Sequence, residues 1–591
     1  MLMCTPKLTD HQYTLTVSNT TCNPDGSTPA SRRCLLINGQ YPGPLIRANW
    51  GDNLQITVQN NMKSNGTSIH WHGLRQLSSN LDDGVNGVTE CPIAPGTSKV
   101  YNLQATQFGT SWYHSHHSAQ YGDGVLGPLI IDGPTSDNWD IDLGPLTIND
   151  WFHMPATDAD ILILDGLQQN GPGPAADNVL INGTNMNAAG TTGKYLNVKL
   201  TTGKKHLLRI INMSVDNALR VSVDNHTLEV ITADFVPVQP VTVESVLLNV
   251  GQRYEVILNA NQLAGNYWMR VEPESTGCFS FNQNSGFAVV TYSGVKVATP
   301  TTTSTYTNGG TCDPPSPLTP WVSNQVGNVT AFLSQVETLP VGLAIPGCPV
   351  GADCIPGVAN AYTSGNMVVW SINATSMDVA WGQPVLQYVM EGNNTFPRTE
   401  NIIELAYEGE WAFWIIQNIV SVDGPPPPHP IHLHGHDFYV LGSGAGAWDN
   451  SLAQNLTFNN PTRRDTATLP SHGWLVLAFP TDNPGAWLMH CHIGKSNLTQ
   501  ITPLSDLTML TSSQHGTSPK VLVSPSSSPP PTLPTSPRLV TPGPRPAPTG
   551  TTTGPAHPGP SSALVCKLLL TSTCISSFLP FVVLVSSFIF C

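Results

Sequence analysis

Four short stretches concentrate groups that can hold a transition metal: His70-Trp71-His72, His114-Ser115-His116, the run from His429 through His432 and His434 to His436, and His490-Cys491-His492. In an extended chain alternate side chains share a face, so each His-x-His puts two imidazoles on one side of a strand. One such pair is more often incidental than a ligand pair. Four of them in a chain with 18 histidines form a pattern. In the last stretch His490 and His492 point one way and Cys491 the other. A strand there, following the apolar run 473–479, can feed two metal sites and join a thiolate to two imidazoles through a few covalent bonds. Imidazole suits copper, zinc and iron, and a lone thiolate beside imidazole suits copper electron transfer. Zinc fingers would need more closely spaced cysteine partners.

The elements that must position these groups read as strands. The chain has 591 residues, only 11% of them charged, with 51 Gly and 52 Pro, and Val/Thr/Ile runs separated by turn formers. That composition predicts an all-β protein. Residues 1–135 form one sandwich, with strands at Tyr13–Val17, Leu54–Val58 and Leu129–Ile131 in an antiparallel arrangement. Residues 136–300 repeat the texture at Leu196–Leu200, His206–Ile211, Leu228–Ile231, Arg253–Leu258, Tyr267–Val271 and Phe287–Tyr292. The Thr-rich stretch 299–311 reads as a linker, and 301–505 hold the third sandwich. Residues 506–591 are a tail, Ser/Pro/Thr-rich and disordered over 506–562, then apolar from 563 but interrupted by Lys567 and Pro580. A net charge of −15 argues against a nucleic-acid partner. Twelve well-separated cysteines suit a few disulfides in an oxidising compartment. Sequons at Asn19, Asn65, Asn182, Asn212, Asn225, Asn328, Asn373, Asn393, Asn455 and Asn497 fit a secreted glycoprotein. The first seven residues are no signal peptide, and the reading is that the true N-terminus is missing.

At these motifs the chain resembles the multicopper oxidases, most closely the laccases of ascomycete fungi. The resemblance rests on 37–44, 68–73, 83–93, 109–116, 460–466 and 481–492, and covers roughly residues 10–493. It implies three consecutive cupredoxin-like Greek-key sandwiches with a trinuclear copper cluster between the first and third. It implies four coppers per chain. His70 and His432 would bind the type 2 copper. His72, His114 and His492 would bind one type 3 copper, and His116, His434 and His490 the other. His429 and Cys491 would bind the type 1 copper. His436 matches a position that is not a ligand, and His117 reads as packing. The implied reaction is one-electron oxidation of phenols or aromatic amines, with Cys491 passing electrons through His490 and His492 until dioxygen is reduced to two waters. Secretion as a monomer with small-molecule partners follows from the same resemblance. Pigment synthesis and lignin breakdown both remain open as roles.

The departure comes after Ile493. The family's second type 1 histidine falls at Ser496, and its weak aliphatic partner at Ile501. Serine is a poor copper ligand, so the type 1 site is incomplete. Gly494-Lys495-Ser496 is what a GGT-AAG-TCN run encodes, which resembles a splice donor, and a translated intron is the favoured account of 494–591. The rival account is a Ser/Thr stalk with a GPI-type anchor. Sequencing the spliced transcript across the Ile493 codon separates the two. If Ser496 is genuine, the alternative is a copper-binding glycoprotein without turnover. The other alternative is a different multicopper oxidase, acting on iron, ascorbate or bilirubin.

Two acids are candidate catalytic groups by the same resemblance. Asp234 matches a carboxylate that takes the phenolic proton; the alternative is a loop acid holding backbone amides. Asp83 aligns with an acid near the type 2 copper that relays protons; the alternative is a turn aspartate before glycine. Asp465 reads as structural, paired to arginine. Cys278 with Cys312 resembles a family disulfide, Cys22 with Cys34 and Cys348 with Cys354 are plausible local bridges, and the family partner of Cys91 is expected to be lost.

Overall fold

The computed structural model describes residues 9–27, 32–168, 173–280, 282–304, 306, 310–312, 314–344, 369–373, 375, 377–393, 395–405, 409–418, 426–493 and 581–585. Among them three β-sandwiches follow one another along the chain. In the first, a sheet ordered Arg32–Ile37, Asp10–Cys22, Asn53–Asn60, Ser98–Gln104 faces one ordered Ile46–Asn49, Leu126–Asp132, Gly109–His114, His70–Trp71. The second pairs a six-stranded sheet centred on Lys205–Asn212 and Arg253–Asn259 with a five-stranded one centred on Asn266–Pro273. The third pairs a six-stranded sheet centred on Trp411–Asn418 and Gly473–Pro480 with a five-stranded one ordered Ile402–Leu405, Phe581–Val585, Ala486–Cys491, His429–Leu433, Thr466–Leu469.

Each sandwich is closed by alternation. Leu54, Ile56 and Val58 are buried while Asn53 and Gln55 are exposed, so one face of the strand leaves water and the other does not. The three cores are separate apolar clusters, built around Leu54, Ile56 and Trp71, around Val221, Val256 and Val290, and around Trp414, Leu477 and Trp487. The sheets are mixed rather than antiparallel. Asp10–Cys22 runs parallel to Asn53–Asn60, and Ile46–Asn49 parallel to Leu126–Asp132. Long crossovers make this possible, since parallel neighbours cannot be joined by a tight turn.

Three features depart from the sequence reading. The helix Ala156–Gln168 was not anticipated; Ala159, Ile163 and Leu167 recur every four residues and pack into the third core. Its first amide, Ala156 N–H, donates to the Asp123 carboxylate at 2.8 Å. The Thr-rich stretch is pinned to the second sandwich, where Thr302 Oγ1 donates to Asp224 at 2.6 Å. The Ser/Pro/Thr-rich stretch 506–562 and the pair Cys348/Cys354 lie outside the described residues. The apolar end, however, supplies the strand Phe581–Val585, antiparallel to Ile402–Leu405 and parallel to Ala486–Cys491. No helix among the described residues is long and apolar enough to cross a membrane. Because that strand is paired on both sides, proline at its centre removes a ladder donor. Val583→Pro is expected to cost about 1–3 kcal/mol and to lower the unfolding temperature in a thermal melt. An unchanged melt counts against the strand.

Candidate metal centre

The strand Ala486–Cys491 pairs with His429–Leu433 so that Ile431 faces Cys491 and His432 faces His490. Side chains opposite one another in a ladder share a face. One face therefore carries His432 and His490, and the other carries Ile431 and Cys491, with His429 their diagonal neighbour. On the first sandwich His70 faces His114 across another antiparallel pair, while Trp71 turns into that sandwich's core. The His-x-His parity thus aims imidazoles from both sandwiches at one seam.

Eight histidines meet there. Ligand-capable atoms of His70, His72 and His432 lie within 4.8 Å of one another, as do those of His72, His114 and His492 and those of His116, His434 and His490. The rings of His70 and His434 stack at 3.8 Å, and those of His72 and His432 at 3.9 Å. All are buried except His116, which is partly exposed. Burial pushes the pKa of His72, His114, His116, His432, His434 and His492 well below the usual imidazole value, and the neighbouring imidazoles push the same way. Burial brings His490 down to about 4. These seven imidazoles are held neutral, which is the form that binds a metal.

The hydrogen bonds fix which nitrogen points inward. Carbonyl oxygens only accept, so Nδ1–H of His70, His114, His432 and His490 donates to the backbone oxygens of Asp83, Ser115, Asp465 and Cys491, at 2.8, 3.1, 2.8 and 2.8 Å. His434 Nδ1 donates to Asp83 Oδ2 at 2.9 Å. The opposite nitrogens then carry lone pairs. Nε2 of His70, His114 and His432 is buried without a hydrogen-bond partner. Nε2 of His434 and His490 face each other at 3.2 Å. Buried acceptors without donors, and two lone pairs in mutual contact, are costly unless a cation lies between them. The donor set, all imidazole, fits copper.

Asp83 is fully buried, with Oδ1 3.2 Å from His70 Nδ1 and Oδ2 2.9 Å from His434 Nδ1. Gly84 beside it sits at φ +81°, and a Cβ there would lie 1.8 Å from the Ile69 carbonyl, so only glycine turns the chain there. Asp465 is ion-paired to Arg253 as expected, but it also lies 3.3 Å from His72 Nε2. Arg253, Thr466 and Gly251 were missed by sequence reasoning; no local spacing marks them. The stacking of Trp112 on His114 at 4.2 Å was missed too, although it adjoins the motif.

Asp234, a candidate proton acceptor for substrate or a loop acid holding backbone amides, lies between two arginines. It is 1% exposed, and its oxygens accept from Arg464 Nε and Nη2 and from the amides of Arg253 and Asp465. Burial pushes its carboxyl up, but Arg464 and Arg253 outweigh that and hold it below the ordinary range. The loop acid holding backbone amides is what the geometry supports. His117 is buried against Trp381, with Nδ1 on Asn86 at 2.7 Å, and belongs to no ligand cluster. His436 hydrogen-bonds the His434 carbonyl and packs edge-on to Trp487.

On the opposite face of the same strands, Cys491 is buried among Ile431, Met489 and Ile493 and takes part in no disulfide. His429 is buried edge-on to Trp370, ring centres 5.1 Å apart. Ser496 and Ile501 lie outside the described residues. Disulfides join Cys22 to Cys34 and Cys278 to Cys312. Cys91 is disulfide-bonded.

Three multicopper oxidase profiles match residues 16–136, 142–295 and 358–499. Laccase-3 of Botryotinia fuckeliana is 48% identical over 461 residues, 76% of this chain and 97% of its own length. A laccase of Neurospora crassa is 43% identical over 502 residues, 83% of this chain and 76% of its own. The crystal structure of the laccase from Botrytis aclada is similar at a TM-score of 0.73 and 38% identity, over 83% of this chain and 86% of that one. Fet3p, a multicopper oxidase that functions in iron import, is similar at a TM-score of 0.68 and 25% identity, over 82% and 88%. The chain belongs to the multicopper oxidase family, as a laccase-like, copper-dependent oxidoreductase.

Proposed function

We propose that the chain serves as a secreted, monomeric laccase that oxidises phenols or aromatic amines and passes the electrons to dioxygen. The observation that carries this is the parity of one strand: His490 and His492 turn to the seam between sandwiches, and Cys491 turns to the core beside His429. Copper supplies one-electron acceptance from the substrate on the Cys491 side and four-electron reduction of dioxygen on the seam side. His70 and His432 would hold type 2 copper; His72, His114 and His492 one type 3 copper; His116, His434 and His490 the other; His429 and Cys491 part of type 1.

The protein's own work is orientation. Nδ1–H bonds to backbone carbonyls lock the tautomer of His70, His114, His432 and His490. Cys491 and its two flanking histidines are the covalent path between the faces. The Asp83 carboxylate, against both His70 and His434, would orient those two rings. Burial keeps water from the imidazoles, with His116 the partly exposed edge.

Oxygen uptake driven by a phenol, without released peroxide, is the expected result for the protein with a completed type 1 site. Preferential oxidation of Fe(II) under the same conditions moves the chain to the ferroxidases. The sequons and secretion are checked by glycan release from protein recovered outside the cell.

A further inference from the structure

The second sandwich supplies no histidine to the seam, yet its loop Asn249–Arg253 reaches the centre. Arg253 is fully buried and grips Asp465 with two prongs, Nη1 on Oδ1 and Nη2 on Oδ2, both at 2.7 Å. Asp465 Oδ1 lies 3.3 Å from His72 Nε2 and accepts from Thr466 Oγ1 at 3.0 Å. The Asp465 carbonyl accepts from His432 Nδ1 at 2.8 Å. Gln252 Nε2 donates to the Thr466 carbonyl at 3.0 Å, and Asn249 Nδ2 to Thr468 Oγ1 at 2.7 Å. Gly251, at φ +84°, brings backbone so close that a Cβ would lie 3.0 Å from both the His72 and His492 rings. Arg253 Nη1 also donates to the Gly251 carbonyl at 3.1 Å.

His72 is turned the opposite way from its neighbours. Its Nε2 meets Asp465, and its Nδ1 meets His492 Nε2 at 3.0 Å. A carboxylate accepts, so the proton sits on Nε2 and the lone pair on Nδ1 faces inward. We propose that Arg253 is a positioning residue for the trinuclear centre: by fixing the Asp465 carboxylate it selects the tautomer of His72 and sets the ring of His432, so that the second sandwich controls the geometry of a site it does not ligate. This rests on the reading of the seam as a copper centre. A two-pronged guanidinium grip fixes the direction of a carboxylate as well as its charge, which lysine cannot do.

The test uses the full chain loaded with Cu(II), unmutated and as Arg253→Ala, Arg253→Lys and Arg209→Ala. Arg209 is another buried arginine, on the adjacent strand, paired to Glu255 and Asp142 and with no hydrogen bond or ion pair to Asp465 or a histidine. Copper per chain, the type 2 electron paramagnetic resonance signal, the near-ultraviolet absorption of the coupled pair and the rate of copper loss to a chelator are read alongside the thermal melt. Arg253→Ala is expected to lose copper roughly 10–100-fold faster with an altered resonance signal, the range for loss of an outer partner of a ligand. Arg253→Lys is expected to fold and still show the altered signal and faster loss, and it carries the test should Arg253→Ala fail to accumulate. Arg209→Ala is expected to melt lower with all four copper readouts unchanged. Unaltered signal and retention in Arg253→Lys overturn the proposal, as does an equal change in Arg209→Ala. An unmutated chain that takes up no copper with these signatures overturns the copper reading itself, and the proposal with it.

Discussion

Ser496→His is expected to turn the chain into a blue oxidase. A type 1 copper needs two imidazoles and a thiolate, and the described residues offer one of each on a single face: Cys491 opposite Ile431, with His429 its diagonal neighbour, all buried in the third core. The apolar surroundings exclude water from a thiolate–copper bond, and the strand running on to His490 and His492 already connects that face to the seam. Among the described residues the third strong donor is lacking. Loss of an outer partner alone lowers metal affinity or activity by about 10–100-fold, so restoring an absent ligand should raise phenol-dependent oxygen uptake by at least about 100-fold. An intense visible thiolate-to-copper band should appear with it. Cys491→Ser in the same background removes both. If the chain with Ser496 already shows the band and the turnover at full strength, another residue completes the site and the reading of Ser496 as a gap fails.

How much of this could be read beforehand depends on whether the signal is local. The strands at Leu196–Leu200, Arg253–Leu258 and Phe287–Tyr292 fall inside observed strands because alternation needs only a few residues. The convergence of the His-x-His pairs could be inferred because a period of two decides which face each imidazole occupies. The Arg253–Asp465 grip joins residues 212 positions apart, and nothing in either segment announces it. Asp234 is ambiguous from sequence for a different reason. An aspartate in a tight turn, here at φ +54°, looks the same from sequence whether it lines a pocket or holds amides, and only its burial between two arginines decides. The helix Ala156–Gln168 carried start signals, Pro155 before it and Asp158 in its first turn, but sits inside a stretch whose turns and alternation read as strands. A short apolar run such as Phe581–Val585 cannot be told from the end of an anchor until its pairing partners are known.

Asp83→Asn is expected to weaken copper binding at the seam by roughly 10–100-fold, the range for removing a carboxylate that orients ligating histidines. One Asp83 carboxylate serves two of the proposed ligands, from different sandwiches, His70 of the first and His434 of the third, at 3.2 and 2.9 Å. Its backbone oxygen also accepts from His70 Nδ1. An amide has one acceptor oxygen and one donor nitrogen. If the oxygen stays on His434, the amide N–H group confronts the Nδ1–H of His70. If it flips, it confronts that of His434 and favours the tautomer whose Nε2 is protonated and cannot bind metal. Either way one inward lone pair is lost or misdirected. The fold should survive at a cost of about 1–3 kcal/mol for a buried group left badly paired, because the turn is held independently by Gly84 and by the Asp83 amide on the Asn80 carbonyl at 3.2 Å. Competition with a chelator, run beside Asp82→Asn as a neighbouring charge control facing Lys99 rather than the centre, separates orientation from net charge. Equal weakening by both substitutions means that Asp83 acts only as a negative charge near the metals. Weakening by Asp83→Asn alone means that the two sandwiches are held in ligand register through this carboxylate.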